Sequence, residues 1–148
     1  MKICLACSAG GHLSEILNLK PFYSKHSHYF VTFEREDSKS LALEEKVLFI
    51  ERPARNPFAF IKNFFQSWKI LSKEQPDLII STGADVAFST CLLAKLFGKK
   101  IIYIESFCRP FKPSITGRLV YHFADLFIVQ WKQVWKYYPK AKYGGPIF

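Results

Sequence analysis

A glycine pair between a strand-like run and a helix-like run limits what this chain can fold into. Residues 3–7 are apolar, Gly10 and Gly11 follow, and residues 12–20 carry helical spacing that stops at Pro21. In a parallel α/β sheet, the helix N-terminus at such a turn presents N–H groups and a partial positive charge to anions. Glycines have no Cβ, so a ligand can approach the backbone. The sequence therefore predicts a strand–turn–helix unit with an anion site at the turn.

The same alternation continues along the chain. Short apolar and β-branched runs are predicted as six strands, at residues 2–7, 28–33, 47–50, 76–82, 100–104 and 125–129. Helical patterns lie at residues 12–20, 57–73, 86–96, 114–123 and 131–138, with a loop and a short polar helix at 34–45. Alternating strands and helices indicate a parallel sheet covered on both faces. We therefore predict an α/β fold, a Rossmann-like doubly wound parallel sheet, in a single domain over residues 1–148.

The basic charge is concentrated in the last third of the chain. The net charge is +9: residues 1–94 hold 11 basic and 10 acidic side chains, and residues 95–148 hold 10 basic and 2 acidic ones. Such asymmetry favours an anionic partner, which nucleic acid, anionic lipid or a phosphate compound would provide. The basic residues are scattered and no nucleic-acid-reading motif is present, so we expect no nucleic-acid partner.

Cysteine spacing and aromatic content bear on two further questions, whether the chain binds a metal and whether it contacts a membrane. Cys4 and Cys7 form a C-x-x-C inside a predicted strand, where they would point to opposite faces, so we predict buried thiols and no metal site. The aromatic fraction of 17% is high for a core of this size and indicates a surface that meets a membrane or a partner. No apolar run approaches the roughly 20 residues that span a bilayer, and Lys2 precedes strand pattern instead of a leader. We therefore expect contact with a membrane surface only.

The helical pattern at residues 57–73 has a strongly aromatic face. At about 100° per residue, its large apolar side chains fall in an arc of roughly 160°, with lysines at the margin. The predicted membrane-facing residues are Phe58, Phe60, Ile61, Lys62, Phe64, Phe65, Trp68 and Lys69. An interfacial helix has this character, because its lysines reach anionic head groups. The alternative is an amphipathic helix packed on the sheet. Asn56 precedes the pattern as a helix cap.

Polar or glycine-containing segments follow predicted strands 1, 4 and 5, at the edge where parallel sheets bind ligands. Strands 1 and 4 should be neighbours at the topological switch point, so their two glycine turns should face each other across one cleft. The candidate catalytic residue is His12, and the candidate substrate-binding residues are Ser8, Gly10, Gly11, Ser14, Thr82, Gly83, Asp85, Glu105 and Arg109. The glycine spacing matches neither the dinucleotide fingerprint nor a P-loop. We predict no cofactor.

Each charged candidate has a structural alternative. Three roles are open for His12: general base toward a sugar hydroxyl, contact to a phosphate, or a local hydrogen bond. Glu15, one helical turn further on, is expected to meet His12 or solvent. Asp85 either caps the following helix or contacts substrate. Glu105 is expected to face the cleft, with or without a binding role there, and Arg109 either binds a phosphate or pairs with Glu105.

Four motifs together resemble one family of proteins. They are Ser-Ala-Gly-Gly-His-Leu-Ser-Glu at 8–15, Ser-Thr-Gly-Ala-Asp at 81–85, Ile-Glu-Ser-Phe-Cys-Arg at 104–109 and Tyr-Gly-Gly-Pro-Ile-Phe at 143–148. Over essentially its whole length the chain is similar to small glycosyltransferase subunits of polysaccharide biosynthesis. These include the membrane-anchoring subunit of the eukaryotic dolichol-linked N-acetylglucosaminyltransferase. They also include bacterial enhancer subunits of a capsular or exopolysaccharide β-1,4-galactosyltransferase.

This resemblance implies the N-terminal half of a GT-B glycosyltransferase that is divided into two chains. It implies that this half binds a polyprenyl-diphosphate-linked sugar acceptor, while a separate catalytic partner chain binds the UDP-sugar that donates GlcNAc or Gal. It places Gly10, Gly11 and His12 at the acceptor diphosphate and Glu105 near the acceptor sugar. Transfer would be metal-independent, since no D-x-D motif is present to hold a divalent cation.

The resemblance also bears on location. The eukaryotic subunits carry an N-terminal transmembrane anchor, whereas Met1 here lies next to the first strand. We therefore expect the bacterial version, peripheral on the cytoplasmic face of the plasma membrane. Two other functions stay open from the residues themselves. One is a stand-alone Rossmann-like protein that binds phosphate or nucleotide, and the other is a non-catalytic scaffold that recruits a catalytic partner to the membrane.

Overall fold

Seven parallel strands form one sheet in the computed structural model of this protein, which describes residues 1–147. The strands are β1 (Lys2–Cys7), β2 (Ser27–Thr32), β3 (Val47–Phe49), β4 (Leu78–Gly83), β5 (Lys100–Ile104), β6 (Leu126–Val129) and β7 (Lys142–Tyr143). Their order across the sheet is β3-β2-β1-β4-β5-β6-β7. The strand order reverses between β1 and β4, where Ala6 lies opposite Ser81. The predicted pairing of these two strands at the switch point is confirmed.

Seven helices accompany the strands within the described residues. They are α1 (Gly11–Leu17), α2 (Lys20–Tyr23), α3 (Glu36–Leu41), α4 (Pro57–Glu74), α5 (Asp85–Leu96), α6 (Ile115–Val120) and α7 (Lys132–Trp135). The longest is α4, which begins at Asn56, whose side chain accepts hydrogen bonds from the N–H groups of Phe58 and Ala59. It ends at Gln75 in the left-handed conformation. The predicted Asn56 cap is therefore confirmed.

The apolar core lies on both faces of the sheet. Cys4 packs among residues of α4 and α5, such as Leu71, whereas Cys7 packs with Leu13 of α1 on the opposite face. Both thiols are fully buried, and burial raises the pKa of the Cys4 thiol to about 12. The predicted doubly wound arrangement is confirmed, and so is the prediction that the C-x-x-C thiols point in opposite directions.

Some element boundaries differ from those predicted. α1 ends at Leu17, and Pro21 lies in the first turn of α2, where a helix does not need the N–H that proline lacks. The two predicted helices after strands 5 and 6 are shorter than their apolar patterns. β7 was not predicted, because two residues, Lys142 and Tyr143, are too few to show the alternation typical of a strand.

Candidate functional site

A cavity of about 740 Å³ opens at the carboxyl edge of the sheet, beside the switch point between β1 and β4. Four segments line it: the first turn of α1, the loop from Arg52 to Pro57 with the start of α4, the turn between β4 and α5, and the segment after β5. His12, Asp85 and Arg109 are the predicted site residues on its wall. The structure therefore brings three of the candidates together around one space.

The imidazole of His12 is held by the turn that follows β4. Its Nδ1 lies 2.8 Å from the carbonyl oxygen of Thr82, and the Thr82 hydroxyl donates a hydrogen bond of 2.8 Å to the carbonyl of His12. A carbonyl oxygen only accepts hydrogen bonds, so the neutral imidazole carries its hydrogen on Nδ1. This leaves the lone pair on Nε2, and the tautomer is the one that a general base at the cavity requires.

Gly83, next to Thr82, lies directly against Tyr103 and near the His12 ring. Its φ is +106°, in a region that side-chain-bearing residues rarely adopt, and a Cβ at this position would lie 2.5 Å from the Tyr103 hydroxyl oxygen and 3.7 Å from Cε1 of His12. A larger residue would therefore displace Tyr103, whereas its Cβ would be in ordinary van der Waals contact with the His12 ring. Thr82 and Gly83, both predicted as substrate-binding residues, lie behind His12 and do not line the cavity.

The glycine turn after β1 has internal partners. The N–H of Gly10 donates a hydrogen bond of 2.6 Å to a carboxylate oxygen of Asp37, and the Ser14 hydroxyl lies 3.4 Å from the carbonyl of Gly10. Ser8 is buried, and Gly11 is exposed outside the cavity. The Gly10 N–H is thus occupied by a neighbouring side chain, and only His12 of this turn lines the cavity.

Three arginines give the cavity its charge. Arg52 and Arg55 come from the loop after β3, and Arg109 comes from the segment after β5. The guanidinium of Arg52 lies 5.1 Å from the ring centroid of Phe33. Among residues 1–147, no ion pair or carboxylate hydrogen bond involves Arg52, Arg55 or Arg109. The alternative pairing of Arg109 with Glu105 is therefore not formed, and three positive charges are available to an anion.

Asp85 holds the arginine-bearing loop in place. One carboxylate oxygen accepts a hydrogen bond of 3.1 Å from the N–H of Ala54, and the other accepts one of 3.0 Å from the N–H of Val86. Ala54 and Arg55 have φ values of 45° and 62°, an unfavourable backbone conformation that needs support from its surroundings. The Asp85 carboxylate supplies that support across the cavity wall.

Glu15 and Glu105 are buried, and their carboxylates accept hydrogen bonds from groups inside the protein. Glu15 accepts hydrogen bonds from the Ser106 hydroxyl (2.8 Å), the Phe107 N–H (3.1 Å) and the Gln130 amide (3.1 Å). Burial raises the pKa of the Glu15 carboxyl, and the Ser106 hydrogen bond opposes the rise. The expectation that Glu15 meets solvent is wrong, because its helix face turns inward onto the sheet. The alternative, an interaction with His12, is found as an electrostatic effect on the Glu15 carboxyl, whose pKa His12 lowers.

Glu105 occupies a similar position behind the opposite wall. The Tyr138 hydroxyl and the Ser114 N–H, the latter at 3.2 Å, donate to one of its carboxylate oxygens, and the Ser106 N–H donates to the other at 3.2 Å. Glu105 is 1% exposed and does not line the cavity. The expectation that it faces the cleft is therefore wrong, because the chain turns at Ser106 and leaves the carboxylate beneath Ser114.

The aromatic face of α4 divides into an exposed part and a packed part. Phe58, Ile61, Phe65 and Trp68 are all at least half exposed, and Lys69 is exposed as well. Phe64 packs against the core under α4 and Phe60 contacts Phe88, while Lys62 pairs with Glu51 at 2.6 Å. Phe60 and Ile61 also line the cavity. No helix within residues 1–147 combines the length and apolar character that a bilayer crossing needs.

The arginines of the loop after β3 were missed as candidates. The sequence signal is present, since Arg52 and Arg55 alternate with Pro53 and Pro57 directly after a predicted strand. That strand lies at the edge of the sheet, and the sequence alone did not show that its loop reaches back to the switch point. Within residues 1–147, no group of three or more His, Cys, Asp or Glu side chains is placed to hold a metal ion.

Comparison with known proteins decides the family. Residues 3–147 match the family described as oligosaccharide biosynthesis protein Alg14 like. The chain belongs to this Alg14-like family. The human UDP-N-acetylglucosamine transferase subunit ALG14 is 28% identical in an alignment that covers 99% of this chain and 83% of the human protein. The predicted similarity to the eukaryotic transferase subunit is confirmed.

Solved structures share the fold of this Alg14-like chain. Acinetobacter baumannii MurG matches with a TM-score of 0.75 at 15% identity, covering 90% of this chain and 43% of MurG. UDP-N-acetylglucosamine 2-epimerase from Rickettsia bellii matches with a TM-score of 0.79 at 15% identity, covering 99% and 45%. The chain spans less than half the length of either protein. The predicted Rossmann-like fold of GT-B type is confirmed.

Proposed function

We propose that this Alg14-like chain is the acceptor-binding, membrane-associated subunit of a two-chain glycosyltransferase. The partner chain binds a UDP-sugar, and this chain binds a polyprenyl-diphosphate-linked saccharide. The relatives named as subunits of a UDP-N-acetylglucosamine transferase support this division of labour and favour GlcNAc over Gal as the transferred sugar. The product belongs to lipid-linked oligosaccharide, capsule or exopolysaccharide synthesis.

One observation carries the proposal: a cavity with three unpaired arginines opens beside an exposed apolar helix face. Arg52, Arg55 and Arg109 line the space, and Ile61 of α4 stands on its edge. A diphosphate requires cationic hydrogen-bond donors, which guanidinium groups supply in bidentate geometry. A polyprenyl chain requires an apolar environment. A ligand that joins a diphosphate to a lipid fits both properties, whereas a free nucleotide uses only the first.

His12 is the proposed general base of the transfer. It would take the proton from the acceptor hydroxyl as that oxygen attacks the anomeric carbon of the donor sugar, while the nucleoside diphosphate leaves into the partner's domain. The hydrogen bond from Nδ1 to Thr82 keeps Nε2 free for this proton. The reaction is proposed to proceed without a metal ion, with the partner's domain stabilising the charge on the departing nucleoside diphosphate.

Membrane association completes the proposed function. Phe58, Phe65 and Trp68 are exposed on α4, and Lys69 lies among them. This face would lie in the interfacial region of the bilayer, with the lysine near anionic head groups. The protein is thereby proposed to be peripheral, on the cytoplasmic face of the plasma membrane, where lipid-linked acceptor and soluble UDP-sugar meet.

Reconstitution with the partner tests the proposal. The chain is co-expressed with the glycosyltransferase domain encoded nearest to it, and sugar transfer from UDP-GlcNAc to a short-chain polyprenyl-diphosphate acceptor is measured. Transfer is expected only when both chains are present. Full transfer by this chain alone, or by the partner alone, contradicts the two-chain proposal.

A binding measurement on the isolated chain tests the acceptor site itself. Short-chain polyprenyl diphosphate is expected to bind, and an Arg55→Gln/Arg109→Gln double variant is expected to bind at least about tenfold more weakly, since each charge-assisted contact contributes about 1.5–3 kcal/mol. Lys20→Gln/Lys25→Gln removes two exposed charges outside the cavity and serves as the matched control. Tight binding of UDP with no binding of the lipid diphosphate would support the stand-alone nucleotide-binding alternative instead.

A further inference from the structure

Three exposed apolar side chains lie on the side of the cavity opposite α4. They are Phe111, Ile115 and Leu119, which are 68%, 75% and 48% exposed, and we call them the α6 rim. Ile115 and Leu119 are four residues apart and therefore share one face of α6. No single one of these side chains is unusual, but Ile115 and Leu119 on one face of α6, together with Phe111 in the preceding loop, make an apolar strip of three large exposed side chains.

The interior side of α6 fixes the direction of this strip. Gly117 and Val120 are buried, and a Cβ on Gly117 would collide with the carboxylate of Glu105 and the hydroxyl of Ser114. The Ser114 hydroxyl also caps α6 by accepting a hydrogen bond of 2.8 Å from the N–H of Gly117. α6 therefore packs closely on the interior at Gly117. It cannot rotate to bury Ile115 and Leu119.

The charges that flank the strip along the sequence are of one sign. Arg109, Lys112 and Arg118 are exposed beside it, and the sequence contains no acidic residue between Glu105 and Asp125. Interfaces between proteins are depleted of lysine but enriched in arginine, so Arg109 and Arg118 fit either kind of partner. Lys112 and the absence of a flanking acidic residue fit an anionic lipid surface, which attracts basic segments that flank apolar side chains. This charge pattern therefore favours a membrane over a protein partner.

The strip is also continuous with the cavity. Ile115 and Thr116 line the cavity on one side, and Phe60 and Ile61 of α4 line it on the other. Exposed apolar side chains thus stand on both sides of the opening that holds Arg55 and Arg109. A bilayer that touches both sides would cover this opening.

We infer that the α6 rim is a second membrane-contacting surface, which docks on anionic lipid together with α4. The inference deepens the proposed function, on which it rests: the acceptor diphosphate would pass from the head-group layer directly into the arginine cavity between the two apolar walls. The lipid chain would stay in the bilayer throughout.

Vesicle binding tests the inference. Phosphatidylcholine vesicles with and without phosphatidylglycerol are mixed with the protein and sedimented. A Phe111→Ser/Ile115→Ser/Leu119→Ser variant is expected to bind the anionic vesicles about tenfold more weakly. Leu43→Ser/Leu96→Ser, which changes two exposed apolar side chains outside the cavity, is the matched control and is expected to bind as the native protein does.

If circular dichroism shows that the triple variant is unfolded, a second variant takes its place in the vesicle measurement. Lys112→Gln/Arg118→Gln leaves every apolar contact in place and is expected to weaken binding to the anionic vesicles about tenfold, with no change on neutral vesicles. Unchanged vesicle binding by the folded variants overturns the inference. Lost assembly with the partner chain and retained vesicle binding would also overturn it, because the rim would then be a protein interface.

Binding of short-chain polyprenyl diphosphate separates this inference from the proposed function. The Lys112→Gln/Arg118→Gln variant changes no residue that lines the cavity, so it is expected to bind the short-chain ligand normally. If the native protein does not bind that ligand, the proposed function fails. Loss of vesicle binding by the α6-rim variants would then still establish the rim as a membrane contact, without its role in acceptor entry.

Discussion

His12 is fixed by two reciprocal hydrogen bonds with Thr82, and its Nε2 is left for chemistry. His12→Ala removes the proposed base without emptying any part of the core, since the ring is only partly buried. We expect kcat of the two-chain enzyme to fall about 10²–10⁴-fold, with acceptor affinity changed much less. The measurement is steady-state transfer with the partner chain present.

Thr82→Val provides the matched control for His12. It removes the hydroxyl that bonds to the His12 carbonyl but keeps the Thr82 carbonyl that receives Nδ1–H. Its kcat is expected to fall by much less than that of His12→Ala. If His12→Ala transfers sugar at the native rate in an intact complex, His12 is not the base, and the scaffold alternative gains support.

Asp85 is expected to affect ligand binding indirectly, by holding the loop that carries Arg52 and Arg55. Asp85→Ala removes the acceptor of the Ala54 N–H and leaves the left-handed Ala54–Arg55 turn without its tether. Binding of short-chain polyprenyl diphosphate should weaken about three- to tenfold, which corresponds to one hydrogen bond of about 0.5–1.5 kcal/mol. Trypsin should also cleave after Arg55 faster than in the native protein, because the loop is less ordered.

Asp77→Ala is the control for this prediction. Asp77 also accepts a backbone N–H, that of Lys2 at 2.7 Å, but at the amino edge of the sheet. The Asp77→Ala variant should therefore bind the ligand, and be cleaved by trypsin after Arg55, as the native protein is. Equal cleavage in Asp85→Ala and native protein would show that the loop is ordered without the carboxylate.

Residue types at the site were easier to predict than their orientations. His12, Asp85 and Arg109 follow the ends of strands, and that position alone predicts a place at the ligand-binding edge. Glu15 and Glu105 occupy equivalent positions in the sequence but turn inward to buried donors. Which way a carboxylate turns depends on donors that are distant along the chain, and spacing in the sequence does not reveal them.

At the scale of elements, α4 has a packed face and an exposed aromatic face, and the exposed face is the one proposed to contact the membrane. Phe64 packs on the core and Phe65, its neighbour in sequence, is exposed together with Trp68. Phe64→Ala is therefore expected to lower the free energy of unfolding by about 2–3 kcal/mol. Phe65→Ser/Trp68→Ser is expected to change it by less than about 0.5 kcal/mol and to weaken binding to anionic vesicles about tenfold.

Urea unfolding and vesicle sedimentation measure these two effects separately. Phe22→Ser, which changes an exposed phenylalanine of α2, is the control for both and should alter neither. If Phe65→Ser/Trp68→Ser destabilises the fold as strongly as Phe64→Ala, then Phe65 and Trp68 also contribute to the packed core. The membrane role of α4 would then fail.

At the scale of the whole molecule, the order of strands determines which loops meet. The alternation of strands and helices predicted the sheet and the meeting of the turns after β1 and β4, because parallel crossovers follow few topologies. The loop after β3 begins two strands away from β1, yet it contributes Arg52 and Arg55 to the same cavity. It reaches the site because Ala54 is bonded to Asp85, a contact between residues 31 positions apart. Local sequence pattern carries no information on such a contact.

At the amino edge of the sheet, the buried carboxylate of Glu74 links two lysines from different strands or loops. This carboxylate makes the stability of the fold depend on pH. Glu74, at the end of α4, accepts hydrogen bonds from the Lys2 ammonium at 2.7 Å and the Lys46 ammonium at 2.8 Å. Both lysines also lie over the ring of Tyr29. These bonds hold the pKa of Glu74 below its usual value, the Lys2 bond foremost. The carboxylate therefore stabilises the fold above the pKa of the unfolded chain, and this contribution is lost as pH falls through the folded pKa.

Glu74→Gln is accordingly expected to cost about 1 kcal/mol in the free energy of unfolding at pH 7. The difference from the native protein should shrink as the pH falls below about 4, the ordinary range of a glutamate, because the native carboxyl then binds a proton as well. Urea unfolding at several pH values gives the comparison, and Glu44→Gln, at an exposed position, should track the native curve throughout. A difference between native and Glu74→Gln that stays constant from pH 7 to the acid limit would mean that the contribution of Glu74 comes from its shape and not from its charge.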